Sequence, residues 1–480
     1  MSRDVLIGID QGTSGTRSVA FDLRLRPLAD AYRPAQVSHP QPGWIEKDAG
    51  ETVRTVEESL GEVVAAVGAD RIAAVGLDNE GETVVAWDAE SLEPLAPAVV
   101  WGCRRSQPIV DRLAASGGGA EVERISGLPL DPYFSATKIR WLVENVLRVA
   151  TAADEGRLRA GTLDAYLSAR LGGGARTEPS TAGRTQLQAL RRPGSWDRDL
   201  LRLHGVDETW LPPIGDSAGG FGDLAGQPLH GLLVDQTASL AGHGCLAEGM
   251  AKATYGTGIF LLQNAGERAP SGLEGVLPIV AWTLAGRTTY AIDGGVFSAG
   301  TVIAWLRDGI GIIQTPAETA ALAESVPDAG GVRFLPALAG LGAPWWRSDA
   351  RAAFAGITSG TTRAHMVRAA LDSLAFRVRD IVEALPAKPP SLRVDGGLTA
   401  NAYLVQRQAD VLGVPVEIAP VAEATALGAA AMAGVGAGLL DLDQLAELAG
   451  GGRVVEPRNV ERADADYREW HAFAELASQL

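Results

Sequence analysis

The apolar positions of this chain fall into short continuous runs that stop at acidic or glycine residues. Val5–Ile9 is apolar and ends at Asp10, after which Gly12–Gly15 carries small and hydroxylated residues and Ser18–Phe21 is apolar again. Runs of this length are typical of buried strands. Two strands around a Gly/Thr/Ser turn leave backbone N–H groups and hydroxyls facing a polyanion. The pattern predicts a phosphate-binding hairpin, with an ordinary β-turn and a buried Asp as the alternative.

Two later runs end in the same way. Leu232–Val234 is followed by Asp235, and Leu392–Val394 by Asp395 and two glycines, while Tyr255–Phe260 has the glycine-rich sequence Tyr-Gly-Thr-Gly-Ile-Phe. Strand-like and helical stretches alternate through the first half, which indicates an α/β fold.

Helical periodicity is clearest in the second half. In His365–Leu385 the apolar residues recur at helical spacing, and we expect a core helix between two domains. Ala424–Gly438 consists almost entirely of small residues, and we expect a helix that packs closely against its neighbours, behind the ligand that the phosphate-binding turns would hold.

Length and charge narrow the class of protein. A chain of 480 residues suits two domains, and we place the boundary near residue 241, giving domains 1–240 and 241–480. The formal charge of −16 argues against nucleic acid or an anionic membrane as the main partner. Cys103 and Cys245 cannot form a disulfide framework. No signal peptide or apolar membrane span is visible, so we expect a cytoplasmic protein.

Longer stretches resemble one known family. The matching sequences are Gln41–Glu46, Val99–Arg105, Leu130–Lys138, Glu248–Gly258, Gly340–Trp345 and Thr425–Ala429. They are similar to the FGGY carbohydrate kinases and, within that family, to the glycerol kinases. The resemblance implies two ribonuclease-H-like α/β domains of the actin, sugar kinase and Hsp70 ATPase type around a central cleft. It also implies phosphoryl transfer from ATP, with Mg²⁺, to a small polyol or sugar.

The resemblance assigns roles to individual residues. Asp235 would be the general base and Asp10 the carboxylate on the Mg²⁺ side, with Asp235 also near the metal. Arg17 would either steady phosphate or form a local ion pair. The nucleotide would be held by Gly12, Thr13, Ser14, Arg17, Thr257, Gly258, Gly300, Gly397 and Asn401. The acceptor would be held by Gly81, Glu82, Trp101, Tyr133, Asp235, Gln236 and Phe260.

The acceptor motif departs from the family at two positions. Glycerol kinases carry a stretch resembling Asn-Gln-Arg-Glu-Thr, whereas this chain has Asn79-Glu80-Gly81-Glu82-Thr83. Loss of the Arg removes charge-assisted donors, and we expect weaker glycerol binding and more room in the pocket. Glu80 would either accept hydroxyl protons or point to solvent.

These departures leave the acceptor open. Glycerol is the leading substrate, a four- or five-carbon polyol is the first alternative, and a ketose such as xylulose is the next. An ATPase of the chaperone or actin type would have no use for the acceptor residues, and a sugar-binding regulator would not need both Asp10 and Asp235. The resemblance also predicts a homo-oligomer, either a dimer or a tetramer.

Overall fold

In the computed structural model, which describes residues 3–479, strands and helices alternate along the chain. The strands are β1 (Val5–Gly12), β2 (Gly15–Asp22), β3 (Pro27–Pro34), β4 (Val37–Ser38), β5 (Glu46–Lys47), β6 (Ile72–Asn79), β7 (Val84–Asp88), β8 (Ala98–Val99), β9 (Leu158–Thr162), β10 (Asp223–Leu224), β11 (Gln227–Val234), β12 (Ala251–Tyr255), β13 (Ile259–Gly266), β14 (Leu277–Leu284), β15 (Arg287–Val296), β16 (Arg333–Leu335), β17 (Ala353–Ala355), β18 (Leu392–Asp395), β19 (Val416–Ile418) and β20 (Arg453–Val455). The α-helices are α1 (Ala49–Val67), α2 (Gln107–Ala115), α3 (Gly118–Ser126), α4 (Ser135–Asn145), α5 (Leu147–Asp154), α6 (Leu163–Leu171), α7 (Pro179–Gly183), α8 (Arg198–His204), α9 (Asp235–Gly242), α10 (Gly300–Ala304), α11 (Glu318–Glu324), α12 (Arg363–Ala384), α13 (Ala402–Leu412), α14 (Ala424–Gly436), α15 (Leu442–Leu448) and α16 (Val460–Ala477).

The two largest sheets have the same arrangement of strands around a central hairpin. The first has the order β10-β11-β6-β1-β2-β3 and the second the order β14-β15-β13-β12-β18-β19-β20. In each sheet an antiparallel hairpin, β1–β2 or β12–β13, lies beside strands that run parallel to its first member. The shared strand order confirms the predicted pair of ribonuclease-H-like α/β domains. A smaller sheet, β4-β5-β8-β7-β9, is added to the first half.

The predicted hairpin strands form where the apolar runs lie, each extended by a few residues. Their register pairs Asp10 with Arg17 and Gly12 with Gly15, so the turn spans Thr13 and Ser14. The apolar run before Asp235 is the end of β11, and the run before Asp395 is β18.

The predicted core helix forms as α12, but its predicted place between the two domains is wrong. Its apolar side chains, among them Val367, Leu371 and Leu374, are buried in a core built only from residues of the second half. Periodicity identifies a buried face but not the element that covers it.

Helix α14 of the second half packs against the first sheet. Ala426, Leu427 and Ala430 pack against Leu6 and Phe21 of the first sheet. The backbones approach closely, because a Cβ atom at Gly8 would lie 1.8 Å from the carbonyl oxygen of Ala426. A helix near the end of the chain therefore covers one face of the sheet that is built from the first half of the sequence.

Two expectations, about the cysteines and about membrane spans, can be compared with the structure. Cys103 and Cys245 are both buried and free. Within residues 3–479, no helix is long and apolar enough to cross a membrane.

Candidate active site

Three parallel strands of the first sheet end side by side. The register of β1, β6 and β11 aligns Asp10 with Asp78 and Asn79 with Val234. Because Asp235 follows Val234 directly, the carboxyl groups of Asp10, Asp78 and Asp235 meet at one edge of the sheet. This is the edge where ligands bind in open α/β sheets.

Burial raises the pKa of all three carboxyl groups. Burial, opposed by a hydrogen bond from Asp78, leaves the pKa of Asp10 at about 6. Burial and the neighbouring Asp10 and Asp235 raise the pKa of Asp78 well above its usual range. Apart from Asp10, no group in the described part of the chain hydrogen-bonds to either oxygen of Asp78.

Asp235 has the protonation behaviour of a general base. Burial, followed by the charges of Glu82 and Asp10, raises its pKa to about 7. The side chain is partly exposed to the cleft, and one carboxylate oxygen accepts the backbone N–H of Gln236 at 2.6 Å. A base with a pKa near neutrality can take a proton from a hydroxyl at pH 7 and above.

The first hairpin turn contacts Trp101, one of the residues predicted to hold the acceptor. The Thr13 hydroxyl donates to Glu80 at 2.6 Å and accepts the indole N–H of Trp101 at 2.9 Å. Ser14 is exposed beside it. Arg17 forms ion pairs with Asp30 at 2.6 Å and Glu423 at 3.3 Å, so its guanidinium has local partners.

The second hairpin turn lies between β12 and β13 and contains Thr257 and Gly258. Backbone N–H groups at the start of α10 donate to carbonyl oxygens of this turn; the N–H of Gly300, for example, donates to the carbonyl oxygen of Gly256 at 3.0 Å. Thr257 is exposed, and a Cβ at Gly258 would lie 2.5 Å from the Val296 carbonyl oxygen. Only glycine fits there.

Gly397 and Asn401 lie at the end of β18. A Cβ at Gly397 would meet no atom within 4 Å, so this backbone borders open space. The Asn401 side chain accepts the Leu404 N–H at 3.0 Å, capping α13, and donates to Thr319 at 2.9 Å. The charge of Asp395, at the end of β18, contributes to the raised pKa of Asp10.

The residues predicted to hold the acceptor surround Arg184, which the sequence did not single out. Its Nε donates to Glu82 at 2.5 Å, its Nη1 to Asp293 at 3.0 Å, and its Nη2 to the Tyr133 hydroxyl at 3.4 Å. Burial disfavours the charge of Arg184, but the negative groups, with Glu82 the strongest, outweigh it and raise its pKa. The guanidinium is therefore a fixed positive charge.

Gly81 does not leave the expected open space. A Cβ at residue 81 would lie 2.3 Å from Val234 Cγ2 and 3.3 Å from Arg184 Cγ. The expectation of a roomier pocket is wrong, because side chains from two other segments fill the place beside Gly81.

Glu80 behaves in neither of the predicted ways. Its carboxylate pairs with Lys47 and accepts from Thr13, and its side chain is only 4% exposed. It therefore faces neither solvent nor an open acceptor site. A buried ion pair stands where the family motif has a neutral glutamine.

Aromatic and amide groups complete this side of the cleft. The rings of Trp101 and Tyr133 meet edge to face, with centroids 5.7 Å apart. Phe260 pairs with Gly295, two residues from Asp293 on the same strand, so Phe260 and Asp293 share one face of the sheet. Gln236 accepts from the Lys252 ammonium at 2.7 Å.

Lys252 is a second residue that sequence reasoning missed. It is fully buried in β12 and burial lowers its pKa. A lysine in the middle of the short run Ala251–Tyr255 was the available signal. Arg184 offered none, because its partners lie far away in the sequence.

The donor set suits a hard cation held partly through water. Within residues 3–479 no three His, Cys, Asp or Glu side chains are placed for direct ligation of a metal. Mg²⁺ is commonly held by one or two carboxylates, substrate phosphates and water. Asp10 and Asp235, both partly exposed, fit that mode.

The fold and the acidic edge define a two-domain phosphotransferase, and comparisons with known proteins agree. The models of the N-terminal and C-terminal domains of the FGGY family of carbohydrate kinases match residues 5–237 and 251–437. The chain belongs to the FGGY family of carbohydrate kinases. It is accordingly a kinase that transfers a phosphoryl group to an alcohol, and membership implies ATP as co-substrate.

Several similar proteins are named glycerol kinases. A glycerol kinase from Citrifermentans bemidjiense is 42% identical, with 99% of each chain covered. Glycerol kinase 2 from Thermotoga maritima is 40% identical, with 97% of each chain covered. The crystal structure of Plasmodium falciparum glycerol kinase with ADP has a TM-score of 0.92 at 30% identity, covering 99% of this chain and 98% of that one.

Proposed function

We propose that the protein phosphorylates a terminal hydroxyl of glycerol with ATP, giving glycerol 3-phosphate. The observation that carries this proposal is the position of Asp235. A base with a pKa of about 7 opens α9 at the cleft and lies within charge range of Glu82. Glu82 is in turn held by Arg184 beside two aromatic rings, which suits a small molecule with several hydroxyl groups.

Each part of the cleft has a task in the proposed reaction. Asp235 accepts the proton of the attacking hydroxyl and orients its oxygen toward the γ-phosphate. Mg²⁺, held near Asp10 and Asp235, would neutralise charge on the phosphate oxygens. Glu82 and Gln236 bind hydroxyl groups, and Trp101, Tyr133 and Phe260 contact the carbon chain.

The nucleotide is proposed to lie between the two hairpin turns. Gly12, Thr13 and Ser14 would contact phosphate from one side, and Thr257 and Gly258 from the other. Gly300, Gly397 and Asn401 would border the ribose and base. Arg17 is assigned a local structural role, since Asp30 and Glu423 already pair with its guanidinium.

A longer polyol or a ketose is not favoured as acceptor. The argument for them was the space left by Gly81, and Val234 and Arg184 occupy that space. We also propose a domain boundary near residue 241, a cytoplasmic location and a homo-oligomeric state. The free buried cysteines are consistent with a reducing compartment.

The test is acceptor-stimulated ATP turnover. Purified protein with MgATP is assayed against glycerol, erythritol, both threitols, the pentitols and D-xylulose, with Asp235→Asn as background. Preference for glycerol supports the proposal. A preference for another acceptor overturns it, and equal turnover without any acceptor would indicate an ATPase.

A further inference from the structure

The guanidinium of Arg184 is buried at the acceptor pocket with part of its bonding capacity unused. Arg184 follows the short helix α7 and is 7% exposed. An arginine has up to five N–H donors in a planar fork. One hydrogen each on Nε, Nη1 and Nη2 is directed at Glu82, Asp293 and Tyr133. The second hydrogens of Nη1 and Nη2 have no acceptor among the described residues.

The surroundings hold this fork in place. The guanidinium carbon Cζ of Arg184 lies 5.6 Å from the ring centroids of both Tyr133 and Phe134, so the guanidinium packs against two aromatic rings. Glu82 is held in turn, because Lys138 and Ser135 donate to its backbone carbonyl oxygen at 3.2 and 3.3 Å. A donor fixed on several sides is preorganised for a ligand.

The path of the side chain depends on Gly81. Arg184 Cγ lies 3.3 Å from the place that a Cβ on residue 81 would occupy, and Val234 Cγ2 lies 2.3 Å from it. A larger residue at position 81 would therefore displace both side chains. Gly81 thus packs against a methyl group of Val234 and the aliphatic part of Arg184. Val234 directly precedes Asp235 in the chain.

We propose that Arg184 is an acceptor-binding residue that determines specificity, donating to a hydroxyl remote from the one that is phosphorylated. Asp235 takes the reacting hydroxyl, and Glu82 both accepts a hydrogen bond from the guanidinium and acts on Asp235 through its charge. An acceptor bridging them places a second hydroxyl between the Glu82 carboxylate, which accepts, and the free N–H groups of Arg184, which donate. This inference rests on the proposed function, because it assumes a polyol acceptor.

A purely structural role is the competing explanation. Arg184 also neutralises Glu82 and Asp293, and its removal would leave two buried carboxylates without a counter-charge. That damage would lower turnover of every acceptor to the same degree. Loss of a hydrogen bond to one hydroxyl would instead affect only acceptors that carry this hydroxyl.

The experiment compares acceptors that differ by one hydroxyl. Wild type, Arg184→Gln and Arg184→Lys are assayed with MgATP and glycerol, propane-1,2-diol and propane-1,3-diol. We expect Arg184→Gln to lower kcat/KM for glycerol by roughly 10- to 100-fold, mainly through KM, because it removes a charge-assisted hydrogen bond. For the diol that lacks the recognised hydroxyl, the loss is expected to stay below about threefold, within the range of one weak contact.

Arg184→Lys separates charge from geometry. Lysine keeps the positive charge but lacks the fork. We expect it to retain the thermal stability and ATP KM of the wild type and to lose the preference for glycerol over that diol. Arg202→Gln is the matched control, because Arg202 is exposed and pairs with Asp199 on the surface. It should change neither the thermal stability nor the preference for glycerol.

The outcomes separate the two proposals. Equal losses on all three acceptors, or full recovery of the preference in Arg184→Lys, would overturn the role of Arg184. If the wild type ignores glycerol but uses another polyol, the proposed function fails. The comparison is then made on that polyol and its deoxy analogues, where an unequal loss still supports Arg184.

Discussion

The buried ion pair between Lys47 and Glu80 gives the sharpest test of the site's architecture. The two side chains are 1% and 4% exposed, and Glu80 also accepts from Thr13 in the phosphate hairpin. Glu80→Gln keeps the size of the side chain, replaces one acceptor oxygen with an NH₂ donor, and leaves the Lys47 ammonium buried without a counter-charge. Lys47→Met makes the opposite change and leaves the carboxylate alone.

The expected cost follows from this burial. Removing one partner of a buried pair typically costs about 3–5 kcal/mol, because the remaining charge is desolvated and unpaired. In a domain of this size each kcal/mol corresponds to about 2–4 °C in Tm, so each single variant should melt roughly 6–20 °C lower. The double variant Lys47→Met/Glu80→Gln leaves no isolated charge and should recover at least about 2 kcal/mol of the summed loss.

Calorimetry and circular dichroism at pH 7.5, with and without MgATP, measure these shifts. Asp199→Asn on the exposed pair with Arg202 is the control, and its effect should stay within about 0.5 kcal/mol. A Glu80→Gln variant that melts within about 2 °C of the wild type would refute the reasoning, as would a double variant that melts lower than either single one.

Three further predictions concern the base, the packing at Gly81 and the response to acid. Asp235→Asn should lower kcat by about 10²–10⁴-fold while the nucleotide Kd from titration calorimetry stays near that of the wild type; a loss below tenfold would exclude Asp235 as the base. Gly81→Arg alone should lower kcat/KM for glycerol, because its Cβ would lie 2.3 Å from Val234 Cγ2, and Val234→Gly in the same chain should restore part of it. Wild-type activity in the single variant would contradict this packing. Burial, with a smaller contribution from Arg140, lowers the pKa of His204 to about 4, so the neutral form stabilises the fold above about pH 6.5 and this stability is lost as the pH falls toward 4. Between pH 7.5 and 5 the wild type should therefore lose about 2 kcal/mol more than His204→Leu in urea titrations, and parallel curves would show that His204 is not the acid-sensitive group.

The sequence predicted the parts of the site that lie next to one another along the chain. An apolar run that ends in Asp or Gly identified β1, β11 and β18 and placed Asp10 and Asp235 at strand ends. These inferences needed only the local rule that a short apolar run is a buried strand. Similarity to a known family then indicated the functional roles of these residues.

The remainder depends on contacts between distant segments. Arg184 is 102 residues from Glu82 and 109 from Asp293, and no local pattern announces such a cluster. The ion pair of Glu80 was not predicted, because its partner, Lys47, lies 33 residues earlier in the chain, in β5. The substitution at Gly81 likewise appeared to open a hole, since the side chains that fill it come from β11 and the loop after α7.

The placement of α14 has a consequence for how the chain is made. The helix spans Ala424–Gly436, yet it closes the face of a sheet whose last large strand ends at Val234. At about 5–20 residues per second, the ribosome needs roughly 10–40 s to add the intervening 202 residues (436 minus 234). During that time the glycine-lined face around Gly8 and Gly76 is uncovered. The first half of the enzyme thus reaches its finished form only near the end of synthesis, and a chain cut short before residue 424 lacks the helix that completes it.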